Sequence, residues 1–141
     1  QLGRHEAALS SLMAKLSLVP NDGPLLQLIA ITLADDLGRP VEAFPYAEQA
    51  LNLDPRGVEA LDLAGWVAWK AGQKAKGRDW VGQSIRRQPT ALAHLHMAQI
   101  LAAANEMGQA RDHILQAEHL ATDSAMRDKV KTVRHSFDDN G

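Results

Sequence analysis

VEALDLAGWVAWKAGQKAKGRDWVGQSIRRQP, residues 58–89, is one complete unit of a pattern the chain repeats. Apolar residues recur at three- and four-residue steps on both sides of Gly72. The stretch therefore reads as two amphipathic helices joined at a glycine turn. Pro89 ends the second helix, because proline cannot continue the hydrogen-bond ladder. Trp66 and Trp69 stand one helical step apart and project from nearly the same face. They are either core packing between helices or the floor of a binding surface, and the function turns on which.

The same grammar recurs along the chain. Pro20, Pro55 and Pro89 are 35 and 34 residues apart, as are Gly3, Gly38 and Gly72. Five residues after each glycine stands a small residue: Ala8, Ala43 and Gly77. The series continues at Asn105, Ala110 and Thr122 at an interval of 33. Asn is the next best residue after Gly at a left-handed helix terminus. The expected second helices are RHEAALSSLMAKLSL, PVEAFPYAEQALNL, KAKGRDWVGQSIRR and GQARDHILQAEHL. Pro40 suits a first helical turn, whereas Pro45 should bend or delay its helix. The expected first helices are PLLQLIAITLADD, VEALDLAGWVAWKA and LAHLHMAQILAAA, each with a small residue near its middle: Ala30, Gly65 and Ala98. Such a residue lets the partner helix approach closely.

On these residues the chain resembles the tetratricopeptide repeat (TPR) family over about residues 3–122. The resemblance is carried by Gly38, Ala43, Ala50 and Pro55, then Gly65, Gly72 and Pro89, then Ala98, Ala110 and Ala117. Gly77 and Ser84 stand where alanines are usual, and the last unit lacks its proline. The resemblance implies an all-α, right-handed α-solenoid of helix-turn-helix repeats. The expected layout is one domain: 1–22 as the second helix of a truncated repeat, 23–57, 58–90 and 91–122 as repeats, and 123–141 as a capping helix with a frayed DDNG end. In that helix Met126, Val130, Val133 and Phe137 form one stripe, and Asp123 or Ser124 can cap it. Because Gln1 falls inside a repeat, the chain is expected to be a piece of a longer one.

Composition narrows the function. Of 141 residues, Lys and Arg number 15 and Asp and Glu 17, a balance that argues against a nucleic-acid partner. There is no cysteine, so disulfides and thiolate metal sites are excluded. No apolar run is long enough to span a membrane. Among the six histidines, His94 and His96 point to different sides of one helix, and His113 and His119 are out of register for a joint site. HEAAL at His5 lacks the second histidine of a zinc-protease motif. The histidines are therefore expected to be solvated or capping. No Gly-rich phosphate loop or nucleophile elbow occurs. Asp35–Asp36 reads as a solvated helix end, and Arg78, Arg86 and Arg87 as a solvated basic face. Neither enzymatic activity nor a metal or other cofactor is expected.

The resemblance implies that the first helices line a concave groove for a protein or peptide partner. The lining residues would be Gln27, Ile31, Ala34 and Asp35, then Asp62, Trp66, Trp69 and Lys70, then Leu95, Gln99, Ala102 and Ala103. One TPR subgroup grips a C-terminal carboxylate with Lys and Asn. Here those places hold Gln27, Ile31, Asp62 and Trp66, and an Asp repels a carboxylate, so no such clamp is expected. Burying a Trp removes roughly 150–250 Å² from water, on the order of 4–6 kcal/mol. Two exposed indoles would thus call for a partner, though one can equally pack between neighbouring first helices; Trp80 reads as packing. The truncated repeat leaves Ala8, Leu9, Leu12 and Leu16 as a flank through which copies could associate. In texture the chain is similar to bacterial exported TPR proteins of exopolysaccharide and exosortase systems, and to periplasmic TPR domains of cytochrome c maturation. That similarity implies a periplasmic or envelope scaffold, while the residues themselves leave the cytoplasm open.

Overall fold

In a computed structural model, which describes residues 1–139, the chain forms eight α-helices joined by short turns. They are α1 (Leu2–Leu18), α2 (Gly23–Ile31), α3 (Pro40–Leu53), α4 (Val58–Lys70), α5 (Lys74–Arg87), α6 (Ala91–Ala103), α7 (Met107–Leu120) and α8 (Ser124–Asp139). Three of the starts are capped by side chains. The Asp22 carboxylate accepts from Leu25 N–H at 3.0 Å, and Pro24 lies in the first turn of α2. Thr90 Oγ1 accepts from Ala93 N–H at 3.1 Å just after Pro89, and Asp123 Oδ1 from Met126 N–H at 2.7 Å. The first helix of each pair ends at a left-handed residue: Gly38 (φ 64°), Gly72 (φ 96°) and Asn105 (φ 63°).

Helices α2 and α3, α4 and α5, and α6 and α7 form three pairs, with α2 beside α4 and α4 beside α6. The small residues set the spacing within a pair. A Cβ added at Gly65 would lie 2.7 Å from Val81 Cγ2 and 2.8 Å from Gly77 O, and one at Gly77 2.6 Å from Trp69 Cβ. The glycines thus admit each other's backbone. Ser84 Oγ donates to Val58 O at 2.7 Å, fastening the end of α5 to the start of α4. Buried Ile29, Leu33, Leu61 and Val67 form the core of the N-terminal half, and Val81, Leu101, Ile114 and Val130 that of the C-terminal half.

Two features depart from the sequence expectation. Helix α3 begins at Pro40 and runs through Pro45 to Leu53. Pro45 leaves only the carbonyl four residues earlier without a donor; that residue, Val41, is 72% exposed, so water can satisfy it. The first helix of the 23–57 unit does not stay α-helical to Asp36: after Ile31 it widens into a π-turn, Thr32–Asp36, in which Leu37 N–H donates to Thr32 O at 3.0 Å. Ala30 and Gly38 are eight residues apart, whereas Gly65–Gly72 and Ala98–Asn105 are each seven. The wider turn absorbs the additional residue. At the C-terminus, Asp138 and Asp139 of the expected frayed DDNG end close α8, and Asn140 and Gly141 lie outside the described residues.

Candidate functional site

Helices α2, α4 and α6 side by side line a concavity of about 1030 Å³. Its wall follows one helical stripe, repeated in register. That stripe is Pro24, Gln27, Leu28 and Ile31 on α2; Glu59, Asp62, Leu63 and Trp66 on α4; and Leu92, Leu95, His96 and Gln99 on α6. These are i, i+3, i+4 and i+7 positions, the spacing that puts side chains on one face. Asp35 closes one end, and Asp128, Lys129, Thr132 and Val133 of α8 form a rim. Leu28 and Leu92 present 49% and 36% of their surface to solvent, so much of the opening is apolar.

A polar and aromatic chain ties the three repeats together along this wall. Trp66 Nε1 and Lys70 Nζ both donate to Asp35 Oδ1, at 3.1 and 2.8 Å, and Lys70 also reaches Ala34 O at 3.3 Å. The π-turn carries this carboxylate. The Trp66 ring stacks on His96 with centroids 4.2 Å apart and planes 11° apart, and on Trp69 at 5.4 Å and 25°. His96 Nδ1 meets Asp62 Oδ1 at 2.9 Å, with both side chains almost wholly buried.

Of the residues expected from the sequence, Gln27, Ile31, Asp35, Asp62, Trp66, Leu95 and Gln99 come together around this cavity. Trp69 and Lys70 do not line it. Trp69 backs onto Gly77 and the C-terminal core, and Lys70 is drawn to Asp35. Ala34 is fully buried, away from the groove. Trp66 is only 7% exposed, so its indole is mainly packing that shows an edge to the groove. Asp35 is more than a solvated helix end, since it accepts two side-chain donors.

The histidines require a correction. His94 and His96 are buried, 7% and 6% exposed, not solvated. His94 takes the register position of Leu26 and Leu61, both core residues. Its Nδ1 lies 2.8 Å from Nδ1 of His113, so one ring donates and the other accepts. Burial pushes both imidazoles below the ordinary histidine value. The neighbouring His113 adds to this at His94, while Asp112 opposes it at His113. His96 takes the register position of Leu28 and Leu63. Aligning the repeats residue by residue carries the burial signal for His94 but not for His96, because Leu28 is exposed and Leu63 only half-buried. Arg78, read as part of a solvated basic face, makes a two-pronged bond to Glu106 at 3.1 and 3.0 Å.

The overall arrangement of the helices recurs in known structures. A thermophilic TPR protein of Thermus thermophilus matches with TM-score 0.75 and 16% identity, over 93% of this chain and 73% of that one. The fold is that of a tetratricopeptide-repeat solenoid. PilW, a widely conserved type IV pilus biogenesis factor, matches this chain with TM-score 0.73 and 22% identity, over 89% of it and 59% of PilW. MamA matches with TM-score 0.69 and 17% identity, over 92% and 84%. Neither a protein-family model nor a curated relative matches the sequence. Among the described residues, no helix is long and apolar enough to cross a membrane.

Proposed function

We propose that the chain is a non-enzymatic scaffold that holds a protein or peptide segment in the groove along α2, α4 and α6. The observation that carries this reading is the in-register stripe, which keeps Leu28 and Leu92 exposed over a cavity large enough for several side chains. Exposed aliphatic surface in a concave setting is the usual signature of a recognition site. The TPR fold fits such a role. The likeness to PilW favours a place in a bacterial envelope or assembly complex. A photo-crosslinking residue in place of Leu28 should capture the bound polypeptide, whereas one in place of Val41, outside the groove, should not.

A second reading rests on α1. Its Ala8, Leu12 and Leu16 match Ala43, Ala47 and Leu51 of α3, which are 0, 1 and 8% exposed. On α1 Ala8 is exposed, but Leu9, Leu12 and Leu16, expected to be free, are half-buried and pack against the N-terminal core, so only part of the flank is open. That flank is a surface through which two copies can associate, and crosslinking from Ala8 between copies would support it.

A further inference from the structure

The charges around the groove bear on what kind of segment it takes. Asp35 is already matched by Lys70 at 2.8 Å. The other carboxylates of the lining, Glu59, Asp62 and Asp128, face a single ammonium, that of Lys129. Glu59 and Asp128 are exposed and make no ion pair among the described residues.

The floor adds an independent observation. Asp62 and His96 are 5% and 6% exposed and bond to each other through one atom each. Among the described residues, the second oxygen of Asp62 and Nε2 of His96 have no partner. No side-chain nitrogen or oxygen among the described residues is both shut off from solvent and unpartnered, so these two atoms open onto the cavity they line. The free oxygen of Asp62 is thus an acceptor on the floor of the groove, and a nearly buried acceptor gains from a donor.

We propose that the groove takes an apolar peptide segment that carries an arginine or lysine. The cation is directed to Asp62 and flanked by Glu59 and Asp128, and the aliphatic side chains lie on Leu28, Leu63 and Leu92. This deepens the groove reading and rests on it. An acidic segment meets like charge at three positions and is rejected.

Calorimetric titration of the chain with three synthetic peptides, sharing one Leu/Ala frame and carrying Arg, Gln or Glu at the polar positions, tests the assignment. The Arg peptide should bind tightest and the Glu peptide weakest, with added salt weakening the Arg peptide alone. Glu59→Gln and Asp128→Asn should each weaken the Arg peptide by about two- to fivefold and leave the Gln peptide unchanged. Asp62→Asn should weaken the Arg peptide further. Because that change disturbs the buried bond to His96, its melting curve is recorded alongside, and the two exposed variants stand free of that complication. If the Gln or Glu peptide binds as tightly as the Arg peptide while Leu28→Ser weakens all three, the charge assignment is overturned and the groove reading stands. If no peptide binds, or none responds to Leu28→Ser, both fall together.

Discussion

Trp66 shows how a residue can belong to a groove without being a free contact in it. Its ring is held between neighbours, its Nε1 is used by Asp35, and little of its surface is left for a partner. Trp66→Ala should therefore cost about 3–5 kcal/mol of stability in urea denaturation, as large-to-small core changes do. A loss of binding in that variant would report on folding. Leu28 is the residue that interrogates recognition.

At the same scale, the His94–His113 pair ties stability to pH. Burial lowers both folded-state values below the ordinary 6.5 or so of an exposed histidine. Through the window just below that value the unfolded chain binds more protons than the folded one, so stability rises with pH. The contribution is fully present above the unfolded value and is lost as pH falls below it, because a doubly protonated pair cannot share one hydrogen bond. Melting temperature should fall between about pH 7.5 and 5.5, either side of the ordinary histidine value, and His94→Gln should flatten that dependence. An equally steep fall in the variant would assign the effect to other groups.

At the scale of the element, the closeness of α4 and α5 depends on Gly65 and Gly77. Gly77→Ala should destabilise by about 1–3 kcal/mol, since its Cβ meets backbone that cannot give way. Gly108→Ala on α7, where nothing lies within 4 Å, should instead stabilise by about 0.5–1 kcal/mol. Chemical denaturation of both variants checks the pair, and a stable Gly77→Ala would contradict the close packing. These glycines, the left-handed Gly38, Gly72 and Asn105, and the helix pairs were legible in the sequence because local backbone geometry demands those residue types at fixed spacing. The π-turn was not. It is visible only as one residue too many between Ala30 and Gly38, and it decides where Asp35 points. Half of the groove stripe was equally hidden. Pro24, Leu28, Glu59, Leu63, Leu92 and His96 line it beside the expected residues, and only the packing of three helices side by side reveals the full width of the face. Burial of His94 followed the repeat register, since Leu26 and Leu61 are buried at the same place, whereas His96 is buried by its stack on Trp66 and its bond to Asp62.

At the scale of the whole molecule, three surfaces compete for a functional role: the groove, the bare flank of α1 and the outer face of the second helices. Their chemistry differs. The groove combines exposed leucines with unmatched carboxylates, the α1 flank mixes Ala8 with exposed Arg4, Ser11 and Lys15, and the outer face of α3 carries Val41 in a polar setting. Of the three, the groove is the proposed site of recognition. The direct measurement places one photo-crosslinking residue at Leu28, Ala8 or Val41 of the intact chain in extract of its native cells, with captured polypeptides identified by mass. Recognition in the groove predicts a discrete partner crosslinked from Leu28, displaced by the Arg-bearing peptide, and none from Val41. Capture of that partner from Ala8 or Val41 with nothing from Leu28 would contradict it.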